Sequence, residues 1–250
     1  MTASTDPARL AALLGAARFP VALTGAGISV PSGIPDFRTP GTGLWENVDP
    51  MQVAHIDAWR ADPARFWHFY GHRFQTLGDK QPNGAHAVLV ELERRGLLRA
   101  VVTQNIDMLH RRAGTTELVE MHGTIEHSSC LTCGAQYALP EVQERLAAAD
   151  DGVPPCDCGR PLKPDVVLFG EHLPADAMER AIALMEEADL LLCVGSSLEV
   201  HPVAGLPDIV LAGGGDVAVV TAGRTHLDGR AAVRLGGDIV DELRAVLAAL

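Results

Sequence analysis

The strongest constraint on the fold is a series of short aliphatic runs, each closed by a polar or glycine-bearing segment. The runs are Val21 to Leu23, Leu98 to Val102, Leu118 to Val119, Val166 to Phe169, Leu190 to Val194 and Val217 to Val220. Continuous apolar runs of this length suit strands buried on both faces of a parallel sheet, since a solvated face would demand alternate polar residues. Between some of them lie helical stripes. One is Ala85, Val88, Leu89 and Leu92, with Gly96 placed to end the helix. Others are Met178, Ala181, Ile182 and Met185, and Ile239, Leu243, Val246 and Leu250. Strands alternating with helices across short connections predict an α/β fold, a doubly wound parallel sheet of Rossmann-like type.

The segments that close the runs are Thr24-Gly25-Ala26-Gly27, Thr103-Gln104-Asn105-Ile106-Asp107, Met121-His122-Gly123, Gly170-Glu171, Gly195-Ser196-Ser197 and Thr221-Ala222-Gly223. Open α/β sheets bind ligands at the carboxyl ends of their strands, so these six segments are expected along one edge that forms the site. Two stretches break the alternation. Residues 39–82 carry Trp, Phe and His without a clear strand and read as a helical excursion; residues 127–161 carry paired cysteines. The expected organisation is a discontinuous larger domain of residues 1–38, 83–126 and 162–250. A smaller domain, of a helical module (39–82) and a zinc module (127–161), interrupts it.

Charge excludes one class of partner. Lys plus Arg number 20 against 32 Asp plus Glu, a net charge of −12, which leaves no basic excess for a nucleic-acid backbone. No apolar run approaches the roughly 18 residues of a membrane span. Near the start, Thr5-Asp6-Pro7 resembles a helix cap and Arg9 and Arg18 interrupt the apolar stretch, so a mature amphipathic helix is expected there. Of the five cysteines, Cys130 and Cys133 pair with Cys156 and Cys158 at zinc-ribbon spacing, where four thiolates make a closed tetrahedral, structural site. That usage suits a reducing cytoplasm; Cys193, in an aliphatic run, reads as core.

Gly25-Ala26-Gly27 directly after the first strand lets backbone approach a pyrophosphate, and the N–H groups that follow could bind it without a lysine. Val30 stands where the dehydrogenase fingerprint has its third glycine, and Pro31 and Pro35 follow, which disfavours an ordinary Rossmann dehydrogenase. A tight turn with no ligand is the other reading of this segment.

The longer string GAGISVPSGIPDFR, from Gly25 to Arg38, occurs with TQNID (Thr103 to Asp107), His122-Gly123, KPDVVLFGE (Lys163 to Glu171) and GSSLEVHP (Gly195 to Pro202). Together these resemble the sirtuin family of NAD-dependent protein lysine deacylases, from about Leu10 to the C-terminus. The resemblance implies that an acyl-lysine carbonyl oxygen attacks the nicotinamide ribose carbon of NAD, nicotinamide leaves, and His122 removes a ribose hydroxyl proton. An imidazole with an ordinary pKa near 6.5 suits that role. It further implies that Gln104 and Asp107 contact NAD, Asn105 orders the ribose and a water, and Ile106 lines the nicotinamide pocket. Asp36, Phe37 and Arg38 would form a flexible cofactor loop in which Phe37 shields the reactive carbon.

Gly195, Ser196 and Ser197 would meet phosphate or ribose at the adenosine end. Thr221 stands where the family often has asparagine, and Asp238 where a late backbone contact to adenine falls. An acylated peptide would add as a strand between Gly170-Glu171 and the loop after Ser197, with Val167 and Phe169 flanking the acyl-lysine tunnel. Two departures stand out: only Asp157 separates the second cysteine pair, where the family usually has two residues, and Tyr70 and Arg73 share a helical face. A phenol and a guanidinium so placed could hold a succinyl or malonyl carboxylate, although Asp36 matches the deacetylating branches; a surface arginine beside a packed tyrosine is the other reading. Mono-ADP-ribosyl transfer and a non-enzymatic NAD-responsive binding module also remain open.

Overall fold

The computed structural model describes residues 5–36, 41, 43 and 48–250. Its strands are β1 (Pro20–Thr24), β2 (Ala100–Thr103), β3 (Leu118–Glu120), β4 (Gly123–Cys130), β5 (Gln136–Ala138), β6 (Leu162–Val166), β7 (Leu190–Val194), β8 (Asp216–Val220) and β9 (Val233–Leu235). Its helices are α1 (Pro7–Ala16), α2 (Pro50–Val53), α3 (Ile56–Ala61), α4 (Pro63–Asp79), α5 (Gly84–Arg94), α6 (Leu109–Ala113), α7 (Leu139–Ala148), α8 (Ala175–Glu187), α9 (Leu206–Ala212) and α10 (Ile239–Ala248). At the start of α1 the Asp6 carboxylate accepts the Ala8 N–H at 2.9 Å and Pro7 occupies the first turn, as the sequence predicts.

Six strands form a parallel sheet in the order β3-β2-β1-β7-β8-β9. Side chains of β7 alternate between two helical layers. Leu190, Leu192 and Val194 enter a core with Leu14 of α1, Leu89 of α5 and Leu243 of α10. Leu191 and Cys193 enter a second core with Met185 of α8 and Val210 of α9. Each such Leu or Val, fully buried, contributes about 1.5–3 kcal/mol, which is why both faces can be aliphatic and the sheet doubly covered. Burial pushes the Cys193 thiol up to about 12, so it is an inert core residue.

A smaller antiparallel sheet, β5-β4-β6, packs with the helical excursion. Trp59 of α3 and Phe66, Trp67, Tyr70 and Phe74 of α4 share one core with Ile125, Leu162 and Val166. Two expectations need correction here. The Val166 to Phe169 run is not a strand of the parallel sheet: only Val166 is in β6, an edge strand where Pro164 is tolerated, and the chain then turns irregular. The sixth parallel strand is instead β9, paired with β8. Moreover, residues 123–126 and 162–166, assigned from sequence to the larger domain, belong to the small sheet. No described helix is long and apolar enough to cross a membrane.

Candidate active site

A cavity of about 450 Å³ opens along the carboxyl edge of the parallel sheet. Every strand of that sheet delivers residues to it: Gly25, Ala26, Gly27 and Val30 after β1, Gln104 and Asn105 after β2, and His122 after β3. Gly195, Ser196 and Ser197 follow β7, Thr221 follows β8 and Asp238 follows β9. Asp36 also lines it. The contribution expected from Gly170-Glu171 comes from the β9 end, because those two residues follow a strand of the other sheet.

Strand order reverses between β1 and β7, the position at which an open α/β sheet leaves a crevice. The two loops meet there backbone to backbone. Gly25 N–H donates to the Val194 carbonyl at 3.0 Å and Gly27 N–H to the Gly195 carbonyl at 2.8 Å. A Cβ on Gly27 would lie 2.7 Å from the Gly195 oxygen, and one on Gly195, whose φ is +63°, would lie 2.2 Å from Ile28 N. The glycines therefore serve loop-to-loop contact first. Their N–H groups are engaged in it rather than offered to a phosphate, and what they leave is a wall without side chains.

Behind that wall lies a buried polar network. Asn105 Nδ2 donates to the Gly25 carbonyl and to Ser29 Oγ, both at 3.2 Å, and Ser29 Oγ donates to Asp107 Oδ2 at 2.6 Å. Asp107 Oδ1 accepts the Leu109 N–H at 2.9 Å. Burial raises the Asp107 carboxyl above its usual range, while the Ser29 and Leu109 bonds pull it back. Asp107, expected to touch cofactor, is thus not at the cavity wall: it holds Ser29, which holds Asn105. Beneath Asn105, Thr103 Oγ1 accepts its backbone N–H at 3.1 Å, Thr24 Oγ1 bonds Thr103 Oγ1 at 2.8 Å, and His110 Nε2 lies 2.9 Å from Thr24 Oγ1.

His122 is set by one contact. Its Nδ1 lies 2.9 Å from the Gln104 carbonyl, which can only accept, so Nδ1 carries the proton and Nε2 keeps its lone pair. Burial lowers its pKa from the ordinary value, with the Gln104 carbonyl acting the other way. Gln104 Nε2 in turn donates to Ser196 Oγ at 2.9 Å, tying the β2 loop to the β7 loop. Thr221 lines the cavity, and Asp238 caps α10 by accepting the Val240 and Asp241 N–H groups.

Other predicted residues lie elsewhere. Phe37 and Arg38 fall outside the described residues. Ile106 packs against the small-sheet core rather than lining the cavity. Val167 donates its N–H to the His122 carbonyl at 2.8 Å. Phe169 is 40% exposed and bonded through N–H and C=O to Ala54 and Ile56. Glu171 accepts from Lys163 and from the Leu168 N–H, so its carboxylate turns inward. Tyr70 is buried between Phe66 and Phe74, and its phenol is pushed up by burial. Arg73 folds back on its own helix, donating to the Phe69 carbonyl at 2.7 Å with its guanidinium 3.8 Å above the Phe69 ring. Neither lines the cavity that contains His122.

The sulfurs of Cys130, Cys133, Cys156 and Cys158 all lie within 4.8 Å of one another. Cys130 to Cys158 and Cys133 to Cys156 are each 3.5 Å, against about 3.8 Å for four thiolates around a tetrahedral zinc. The donor set and spacing fit one structural zinc, and the missing residue of the second pair does not prevent it. Tyr137 Oη accepts the Asp157 N–H at 3.2 Å, leaving its proton for Cys156 Sγ at 3.4 Å. Arg145 stacks on the Tyr137 ring and bonds Asp157 Oδ1 at 2.9 Å, bracing the shortened turn.

Sequence reasoning missed Ser29, Thr24, Thr103 and His110 as supports of Asn105. A usable signal existed in the two threonines, each the last residue of its strand and next to a site loop.

Comparison with known proteins agrees with this geometry. A model described as Sir2 family matches residues 25–202. An NAD-dependent protein deacetylase of Thermotoga maritima is 42% identical over 236 residues, 94% of either chain. An NAD-dependent protein deacylase of Thermococcus sibiricus is 41% identical over 239 residues, 94% of this chain and 92% of its own. A solved Sir2 with deacetylated p53 peptide and 3′-O-acetyl ADP ribose matches at TM-score 0.93 and 39% identity, covering 97% of this chain and 98% of the other. Sir2Tm bound to a propionylated peptide matches at TM-score 0.87 and 39% identity, covering 96% of each. The family model spans well over half of the chain and these relatives match nearly all of it, so the chain belongs to the Sir2 family.

Proposed function

We propose that this chain is an NAD-dependent protein lysine deacylase and that its strand-edge cavity holds NAD beside an acylated lysine. When bound, NAD supplies an electrophilic ribose carbon that takes the acyl oxygen in place of nicotinamide and carries the acyl group away. His122 accepts a ribose hydroxyl proton at Nε2, while the Gln104 carbonyl on Nδ1–H keeps the tautomer and stabilises the imidazolium. Burial keeps the ring neutral near pH 7, so the lone pair is present when needed. Asn105, anchored through Nδ2, leaves its Oδ1 to accept from ribose or water. The Ser196 and Thr221 hydroxyls offer neutral donors to ribose and phosphate beside Ser197, Gln104 holds Ser196 in place through Nε2, and the backbone at Asp238 meets the adenine end. Asp36, which lines the cavity, covers the nicotinamide end, and Val167, Phe169 and Gly170 receive the peptide. The zinc braces the smaller domain, which holds peptide against the larger, cofactor-bearing one.

Acetyl and other short neutral acyl groups are the preferred cargo in this reading, because Arg73 is already engaged by Phe69. The zinc-type thiols support a cytoplasmic location. The observation that carries the proposal is the 2.9 Å contact of His122 Nδ1 with the Gln104 carbonyl, in a wall shared with Asn105 and the glycine turn. The test is nicotinamide release from NAD with an acetyl-lysine peptide. His122→Ala is expected to lower turnover by about 10²- to 10⁴-fold. Turnover retained in that variant would refute the assignment, and ADP-ribose found by mass spectrometry on protein instead of on the released acyl group would replace deacylation by ADP-ribosyl transfer.

A further inference from the structure

The irregular segment after β6 is fastened at both ends, at one of them to the site. At one end Val167 N–H donates to the carbonyl of His122, the proposed base, at 2.8 Å. At the other, Phe169 is bonded to Ala54 and Ile56 at 2.9 Å each. Just before this segment, within β6, lies Lys163, only 6% exposed. Its ammonium reaches the Pro164 carbonyl at 3.1 Å, the Val166 carbonyl at 2.8 Å and Glu171 Oε2 at 2.9 Å, an acceptor for each of its three protons. Glu171 Oε2 also accepts the Leu168 N–H at 2.9 Å. One ion pair, with its lysine buried and its carboxylate partly buried, therefore ties residues 164, 166, 168 and 171 together.

Core stability alone does not require a charge at this place. An apolar side chain of similar volume would avoid the desolvation of both ions, and buried pairs are often no more stable than such replacements. What the pair adds is direction: four bonds at fixed angles that set the path of the backbone between β6 and the turn at Gly170. Gly170 has φ +84°, and a Cβ there would lie 2.6 Å from His55 Nε2, so the turn is held from the far side as well. Neither Lys163 nor Glu171 lines the cavity assigned to NAD.

We infer that Lys163 and Glu171 are positioning residues that shape the segment 167–170 to receive an acyl-lysine peptide, and that they do so without touching the cofactor. The inference rests on the deacylase reading above. Its test is steady-state kinetics of the full chain with NAD and an acetyl-lysine peptide, comparing wild type, Lys163→Met, Glu171→Gln and the double variant. Each single substitution is expected to raise the peptide KM by about tenfold or more while the NAD KM stays within about twofold, and the double variant to be no worse than the poorer single, since both remove the same unit. Glu171→Gln is the deciding variant should Lys163→Met not fold, because Lys163 then keeps its two carbonyl partners. Peptide KM within twofold of wild type, or a parallel rise in the NAD KM, would overturn the inference. A wild type inactive on acyl peptides would sink the deacylase reading and this inference with it; an active wild type with unmoved variants would sink only this one.

Discussion

The close contact of the β1 and β7 loops makes a sharp prediction for Gly195→Ala, with Gly214→Ala as its control. Both glycines have positive φ, +63° and +82°, so both substitutions carry the left-handed penalty of about 1–2 kcal/mol. At Gly214 nothing lies within 4 Å of an added Cβ, and the penalty ends there. At Gly195 the methyl group would sit 2.2 Å from Ile28 N and 2.7 Å from Gly27 C, so one loop must move. Overpacking of this kind adds about 1–3 kcal/mol, and loss of the bond from Gly27 N–H to the Gly195 carbonyl adds about 1 more. The expected loss is about 3–6 kcal/mol, against about 1–2 at the control, and each kcal/mol lowers Tm by about 2–4 °C in a chain of this size. Thermal unfolding reads the stability, and titration with NAD reads the site. Gly195→Ala should lose NAD affinity as the wall opens, whereas Gly214→Ala should keep it. Equal losses of Tm, or unchanged NAD affinity in Gly195→Ala, would show that loop contact is not what the glycines are for.

Acid should weaken the fold through two buried histidines. Burial holds His86 down to about 4 and His110 to about 3, with His86 adding to the shift on His110. Both folded values lie below the unfolded value near 6.5, so the unfolded chain takes up protons that the folded chain refuses. Stability is full above about pH 7 and falls as pH drops, by about 2 kcal/mol per histidine at pH 5. Equal urea midpoints at pH 7 and pH 5 would contradict this. At the cysteine site, Tyr137→Phe removes the hydroxyl from Cys156 and should speed zinc transfer to a chromogenic chelator. Stripping zinc from wild type should shift the fluorescence of Trp59 and Trp67, which share the core of that site, while far-UV dichroism of the parallel sheet persists.

What was legible in the sequence follows from where burial is two-sided. β1, β7 and β8 are buried nearly throughout and appear as unbroken aliphatic runs. β9 has three residues with Arg234 at its centre and gives no such run. Val166 to Phe169 is apolar too, but an apolar run does not say which sheet it joins, and Pro164 just before it sends the chain to the edge of the small one. The site loops were legible because they follow strands. Side-chain direction was not: neither Asp107 nor Glu171 lines the cavity, because the Ser29 hydroxyl from a distant segment claims the first and the buried Lys163 ammonium from the preceding strand claims the second. Ser29 and His110 act only through such contacts, so a linear reading had no means of selecting them.

Charge gives these inward turns a common reason. A chain with net charge −12 proposed to bind a pyrophosphate has to keep carboxylates from the phosphate, and its cavity wall carries no lysine or arginine among the described residues to compensate. Asp107 is held by Ser29 and Leu109, Glu171 by Lys163 and Leu168, and the Asp238 carboxylate by the first N–H groups of α10. Asp36 apart, what remains toward the cavity is amide, hydroxyl and backbone, beside a neutral imidazole whose free nitrogen accepts, and none of these sets a repulsive field against an anion. The same polar groups that were hardest to read from sequence are therefore the ones that make an acidic chain compatible with an anionic cofactor.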